Sequence, residues 1–206
     1  MMKKLLFALL CTGSLLSAKS GCVLVQDGKL DIIWQAYKTP EKVGVKGTLP
    51  AVTYHPHQKE GKNFKALFVG SKVVIDTTKV DSGNSLRDEK LVKYFFTQMS
   101  EPKITGEILS MKADPHTKGK PRTGKMEVSF TMNGKTVKTV LDYHYEKETF
   151  KAQGNIDLLD FAAGGALASI NKACYDLHKG KTWSDVSIGF ITHIKATLCH
   201  TDTAKK

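Results

Sequence analysis

The most conspicuous chemical spacing in this 206-residue chain is GKPRTGKM, Gly119 to Met126, which places Gly and Lys as a phosphate-cradling loop would. Three features exclude that chemistry. Met126 stands where such a loop needs a Ser or Thr to hold magnesium. Pro121 has no amide to offer a phosphate. The alternating residues that follow announce a strand, so no helix N-terminus would face the anion. A basic hairpin loop is predicted instead. His55-Pro56-His57 supplies two imidazoles without a third ligand, and His116, His144, His178, His193 and His200 are scattered. No metal and no cofactor are expected. No Ser occupies a nucleophile elbow, and no Cys has a context that would activate its thiol. No catalytic residue is assigned, and the sequence offers no positive argument for an enzyme.

The cysteines point to structure. MMKKLLFALLCTGSLLSA carries Lys3 and Lys4, a short apolar run and small residues up to Ala18, the pattern of a signal peptide cut after Ala18. The apolar run falls far short of the roughly 20 residues a membrane span needs. A lipoprotein cut before Cys22 would want an aliphatic residue at position 19, where Lys19 stands. Residues 19–206 are therefore expected as one exported domain, periplasmic or secreted. In an oxidising compartment Cys22, Cys174 and Cys199 leave one pair and one free thiol. The first and last strands of an antiparallel barrel pair, so Cys22 and Cys199 are the expected disulfide, with Cys174 buried on a helix. Without Lys3 and Lys4, 29 basic residues face 20 acidic ones, a net charge of +9. The lysines are spread along the chain with no nucleic-acid motif, which argues for a solvated basic surface with affinity for anionic membranes and not for nucleic acid.

The elements that would position any site are mostly strands. MEVSFTM sets Met126, Val128, Phe130 and Met132 on one face, and Asn133-Gly134 then signals a tight hairpin. KTVKTVLDYHYE points Val137, Thr139, Leu141, Tyr143 and Tyr145 one way. Phe150, Ala152, Gly154, Ile156 and Leu158 continue the pattern, as do Ile188, Phe190, Thr192, Ile194 and Ala196. DIIWQAY, VGVKGTL, KALFVGSKVVID and ITGEILSM are further strand candidates. One helix is predicted in DFAAGGALASINKACYDLHKG, with Asp160 as N-cap and Gly180 as its stop. A second, shorter helix or turn is predicted over Leu86–Phe96. About eight antiparallel strands with a solvated outer face would remove their edges by closing. The fold class is mainly β: an antiparallel barrel with one flanking helix and a short helical turn. Its inward face mixes large aromatics with small residues, a pattern that suits either solid packing or an apolar ligand cavity.

VVIDTTKVDSGNSLRDEKLVKYFF resembles the YceI-like family of bacterial periplasmic proteins, with a strand, a D-T/S turn, RD-x-x-L and FF in order. VSFTMNGKTVKTVLDYHY is similar to that family's G-x-L-T-x-x-G-x-T-K-x-V hairpin, and AYKTPEKVGVKGTL to its early strand pair. Leu49 replaces the aromatic of the usual G-x-F step, and the segment from Gly164 to Val186 is longer and more helical. The resemblance implies a lipocalin-like barrel whose elongated cavity holds a polyisoprenoid, a quinone-like molecule or a fatty amphiphile. It also implies export, frequent homodimers and no catalytic residues. On that footing Trp34, Phe68, Phe95, Phe96, Val128, Phe130, Leu141, Tyr143 and Phe190 are expected to line the cavity, and Arg87 and Asp88 to fix the turn before the double phenylalanine. Two other readings stand beside this one: a stress-related scaffold with a solid barrel, and an enzyme acting on a lipid through polar groups inside it.

Overall fold

A computed structural model describes residues 23–197. Its strands are β1 (Val23–Gln26), β2 (Asp31–Lys38), β3 (Val43–Leu49), β4 (Val52–His55), β5 (Glu60–Gly61), β6 (Lys72–Asp76), β7 (Lys103–Ala113), β8 (Arg122–Met132), β9 (Lys135–Glu146), β10 (Thr149–Asp157) and β11 (Asp185–Thr197). The helices are α1 (Phe64–Phe68), α2 (Ser85–Tyr94), α3 (Gly164–Ala173) and α4 (Tyr175–His178). All strand pairing among the described residues is antiparallel, in the order β3-β2-β11-β10-β9-β8-β7-β6-β4, with β1 added to β11 and β5 to β1.

That order forces the sheet to curl. Nine strands about 4.8 Å apart would separate the two end strands by roughly 38 Å if flat. Yet the ends, β3 and β4, are joined through Pro50 and Ala51 alone, a link that spans at most about 11 Å. The sheet therefore rolls into a barrel-like shell whose seam is the chain itself. Curling gives each strand one enclosed face, which is why the alternation is so regular. In β9, Leu141 and Tyr143 are buried while Val140, Asp142 and His144 are exposed. The β8–β9 hairpin turns on Asn133 and Gly134, both at positive φ (51° and 70°) as a two-residue hairpin of matching twist requires.

The predicted mainly β barrel with few helices holds, and several details change. Within KALFVGSKVVID only Lys72–Asp76 is a strand; Phe64–Phe68 forms α1 because the Asn63 side chain caps it by accepting from the Ala66 N–H at 2.8 Å. Asp160 is not a helix N-cap. Asp157 instead caps a 3-10 turn over Leu158–Phe161, which ends at Ala162 in the left-handed region (φ 53°), and α3 starts only at Gly164. Gly180, at φ 75°, does follow α4, its N–H bonding the Tyr175 carbonyl at 2.9 Å. The GKPRTGKM segment is the end of the β7–β8 connection running into β8, as the sequence indicates. Ala196, expected inside, is exposed, because β11 outruns the enclosed part of the barrel. Cys22 and Cys199 lie outside the described residues; Cys174 is buried and free at the end of α3.

Two cores divide the interior. One gathers at the end of the barrel where β10 begins, around Phe150, which is fully buried. The Phe64, Phe68, Tyr143 and Phe190 rings surround it at centroid distances of 5.1, 4.8, 5.2 and 5.8 Å. This aromatic plug closes that end. The second core lies under α2 and α3, near Ile156 at the far end of β10, about 20 Å along the strand from Phe150. It is not filled.

Candidate functional site

The unfilled end contains two adjoining voids. A small inner chamber of about 80 Å³ lies within the curled sheet between Ile32, Val73, Val128, Phe130 and Phe190. It adjoins an outer cavity of about 430 Å³, within the roughly 300–1,000 Å³ range of small-molecule sites, bounded by β2, α2, α3 and α4. Leu49, Ile104, Met132, Ile156 and Ile188 line both and form the waist between them. The result is an elongated apolar tunnel, plugged at one end by aromatics and opening beneath the helices.

Helix α2 forms one side of the mouth, and the turn before it is built from the charged pair predicted for that role. Arg87 donates from Nε to the Ser82 hydroxyl and from Nη2 to the Ser82 carbonyl, both at 2.7 Å. Asp88 Oδ1 accepts from the Ser82 N–H at 2.9 Å and from the Ser82 hydroxyl. One serine is thus gripped by both members of the pair, and Asn84 caps the helix through the Arg87 N–H at 2.9 Å. Asp88→Ala would strip two acceptor contacts and leave Arg87 without its neighbouring countercharge. An expected loss of about 2 kcal/mol, read from urea unfolding, follows; an unchanged midpoint would count against the pair as the organiser of this turn.

The helix ends at Tyr94, and Phe95 leaves helical geometry (φ −126°, ψ −65°). That break, not helical spacing, lets both Phe95 and Phe96 line the outer cavity, their rings edge to face at 5.2 Å. Trp34 lines the opposite wall. Its Nε1 donates to the Thr48 carbonyl at 3.2 Å, and its ring lies over Gly47, where a Cβ would come within 2.4 Å of the indole. Val128, Phe130, Leu141 and Phe190 line the inner chamber. Phe68 and Tyr143 line neither void and belong to the plug. Seven of the nine residues expected in the cavity are therefore brought to it.

Sequence reasoning missed the polar mouth. Lys38 at the end of β2, Lys90 on α2, and His178 and Thr182 beyond α3 line the outer cavity together with Arg87 and Asn84, and no carboxylate lines it. The Thr182 hydroxyl donates to Asn171 Oδ1 at 2.9 Å, the Asn171 amide being oriented by its bond to the Gly180 carbonyl. Thr182 Oγ1 therefore accepts from His178 Nδ1–H at 2.7 Å. Burial, then the charges of Lys38 and Lys90, hold the His178 imidazole below its ordinary 6.5. The folded protein then binds fewer protons than the unfolded chain as the pH falls below about 6.5. Stability is fully present above that pH and declines as the pH drops through the unfolded value toward the folded one. His178→Gln is expected to flatten this part of the melting-temperature profile between pH 7 and 5; an unaltered slope would exclude the group.

Among the described residues no three His, Cys, Asp or Glu side chains come together as metal ligands, and no helix is long and apolar enough to cross a membrane.

A curled antiparallel barrel, packed at one end and hollow at the other beneath a helical cover, is a fold in which a long molecule can be enclosed. The YceI-like domain model matches residues 36–192, and the chain belongs to that family. Among solved structures it is similar to a polyisoprenoid-binding domain from Saccharophagus degradans implicated in plant cell wall breakdown, at 12% identity and a TM-score of 0.56, covering 84% of this chain and 98% of that one. It is similar to Burkholderia cenocepacia BcnA, at 13% identity and a TM-score of 0.54, covering 82% and 99%. It also resembles the Campylobacter jejuni YceI protein, at 21% identity and a TM-score of 0.50, covering 74% and 85%. These likenesses carry the fold. No curated protein matches the chain by sequence.

Proposed function

We propose that the protein is an exported carrier that encloses the chain of a polyisoprenoid or similar long amphiphile in the tunnel, without catalysing a reaction on it. The observation that carries this reading is the apolar void of about 430 Å³ that continues past the waist into the barrel. Its apolar walls face an opening to solvent, and the chain of an amphiphile laid against them would remove that surface from water. Binding would be driven by desolvation at about 0.8 kcal/mol per buried methylene. Micromolar affinity needs about 8 kcal/mol net, and association itself costs at least about 4 kcal/mol, so some fifteen carbons must be buried. That arithmetic favours a long chain over a compact ligand.

The helical rim suits exchange with a membrane. Leu86 and Leu177 line the mouth yet are 70% and 61% exposed, beside lysines on a chain of net positive charge. Periplasmic export, which the N-terminal residues favour, would put the carrier between two lipid surfaces. The chain's two tryptophans, Trp34 and Trp183, both line the outer cavity, so uptake has a built-in reporter. Titration with geranylgeraniol is expected to shift and saturate the tryptophan emission at one equivalent. No change up to the solubility limit would sink the carrier reading.

A further inference from the structure

The mouth is more selective than the tunnel behind it. Apart from Ser71 and Glu107, the inner chamber is lined by apolar groups, Gly and Tyr54. Ser71 accepts from the His57 N–H at 3.0 Å, and Glu107 is paired with Lys72 at 3.5 Å. No cationic side chain lines the chamber, so an acidic end of a ligand would sit there without a countercharge, at high cost, and is better placed at the mouth.

At the mouth the charge is of one sign. Lys38 and Lys90 approach from different elements, β2 and α2, and both are half-buried. Neither forms an ion pair with a carboxylate among the described residues. Their neighbours do: Lys42 is neutralised by Asp185 at 2.8 Å and Lys179 by Glu41 at 3.1 Å. Arg87, which also lines the mouth, spends Nε and Nη2 on Ser82, whose hydroxyl in turn donates to Asp88. His178 lies within electrostatic reach of both lysines, whose charges act on the same imidazole. Two cations on the lining of one cavity, partly desolvated and without carboxylate partners, are suited to give charge-assisted hydrogen bonds to an anion entering between their elements.

We propose that the tunnel's ligand carries an anionic headgroup, a carboxylate or a phosphate, held at the mouth by Lys38 and Lys90 while its chain fills the cavity. The inference rests on the carrier reading and narrows it from long amphiphiles in general to long acids. Two flexible ammonium groups suit a compact anion approached from two sides, and the same chemistry serves a carboxylate or a phosphate monoester.

The test uses one chain with three ends: geranylgeraniol, geranylgeranoic acid and geranylgeranyl phosphate, each titrated at low salt against the full protein by tryptophan emission. At least one acid is expected to bind about tenfold or more tightly than the alcohol, and the order of the two acids identifies the source of the anion. In Lys38→Gln/Lys90→Gln the ratio of acid to alcohol affinity should fall to about one, as loss of the charge-assisted hydrogen bonds implies. In Lys125→Gln, whose lysine lies on β8 away from the mouth, the ratio should stay as in the wild type. If the alcohol binds as tightly as both acids, or the double variant leaves the ratio unchanged, the headgroup proposal falls and the carrier reading stands. If none of the three binds, both fall.

Discussion

Ile156→Trp is expected to abolish uptake of a twenty-carbon chain, with a loss of at least 100-fold in affinity, while the protein stays folded. Ile156 lies at the waist, where it lines both the inner chamber and the outer cavity. An indole there would occupy the passage through which a long chain must thread. Overpacking normally costs about 1–3 kcal/mol, but here the added ring has open volume on its cavity side, so the melting temperature is expected to change little. Geranylgeraniol titration followed by tryptophan emission measures the first effect and a thermal melt the second. Ala36→Trp, on β2 in the outer cavity, provides a second block if the first disturbs β10. Affinity surviving both substitutions would mean that the chain lies elsewhere.

Phe150→Ala should do the reverse. Phe150 is fully buried at the centre of the aromatic plug, in contact with Phe64, Phe68, Tyr143 and Phe190. Truncation removes its transfer free energy and leaves a cavity that four large rings on rigid strands cannot collapse to fill, at a cost of about 3–5 kcal/mol. For a domain of this size that corresponds to a drop of about 6–20 °C in melting temperature. The plug lies some 20 Å along β10 from the waist, so below its melting temperature the variant should still take up the chain. A small stability effect would show that the plug is not the principal anchor of the barrel. Together the two substitutions separate holding the fold from holding the ligand.

Much of the shell was legible because its physics is local. Period-two alternation in β8, β9, β10 and β11 follows directly from one enclosed and one solvated face, and Asn133-Gly134 could specify little other than a tight hairpin. The helix near Leu86 was also readable, since Ser82, Asn84 and Asp88 are residues that cap and turn. KALFV misled because a five-residue apolar run has no period; only the Asn63 cap and the aromatic plug that α1 completes decide in favour of helix. Asp160 misled because Asp157, three residues earlier, competes for the same capping role and wins by closing the 3-10 turn first.

The division of the interior was not legible. Phe150 and Ile156 share one face of one strand, yet one is packed solid and the other borders open space. What separates them is position along the barrel axis, which depends on the stagger of strands far apart in sequence. Phe68 and Tyr143, expected in the cavity, fall on the plug side for that reason. The basic mouth was hidden in a different way. Lys38, Lys90 and His178 come from segments 140 residues apart, and a lysine in sequence reads as a solvated side chain until its neighbours are found to lack a carboxylate.

Whether the cavity holds a long acid in the cell is decided by native mass spectrometry of the protein purified from its own host, followed by denaturation and identification of any released molecule. The expected result is a one-to-one adduct that leaves as a long apolar chain ending in a carboxylate or phosphate. A clean apo mass from the host, together with no adduct after incubation with all three geranylgeranyl probes, would contradict it.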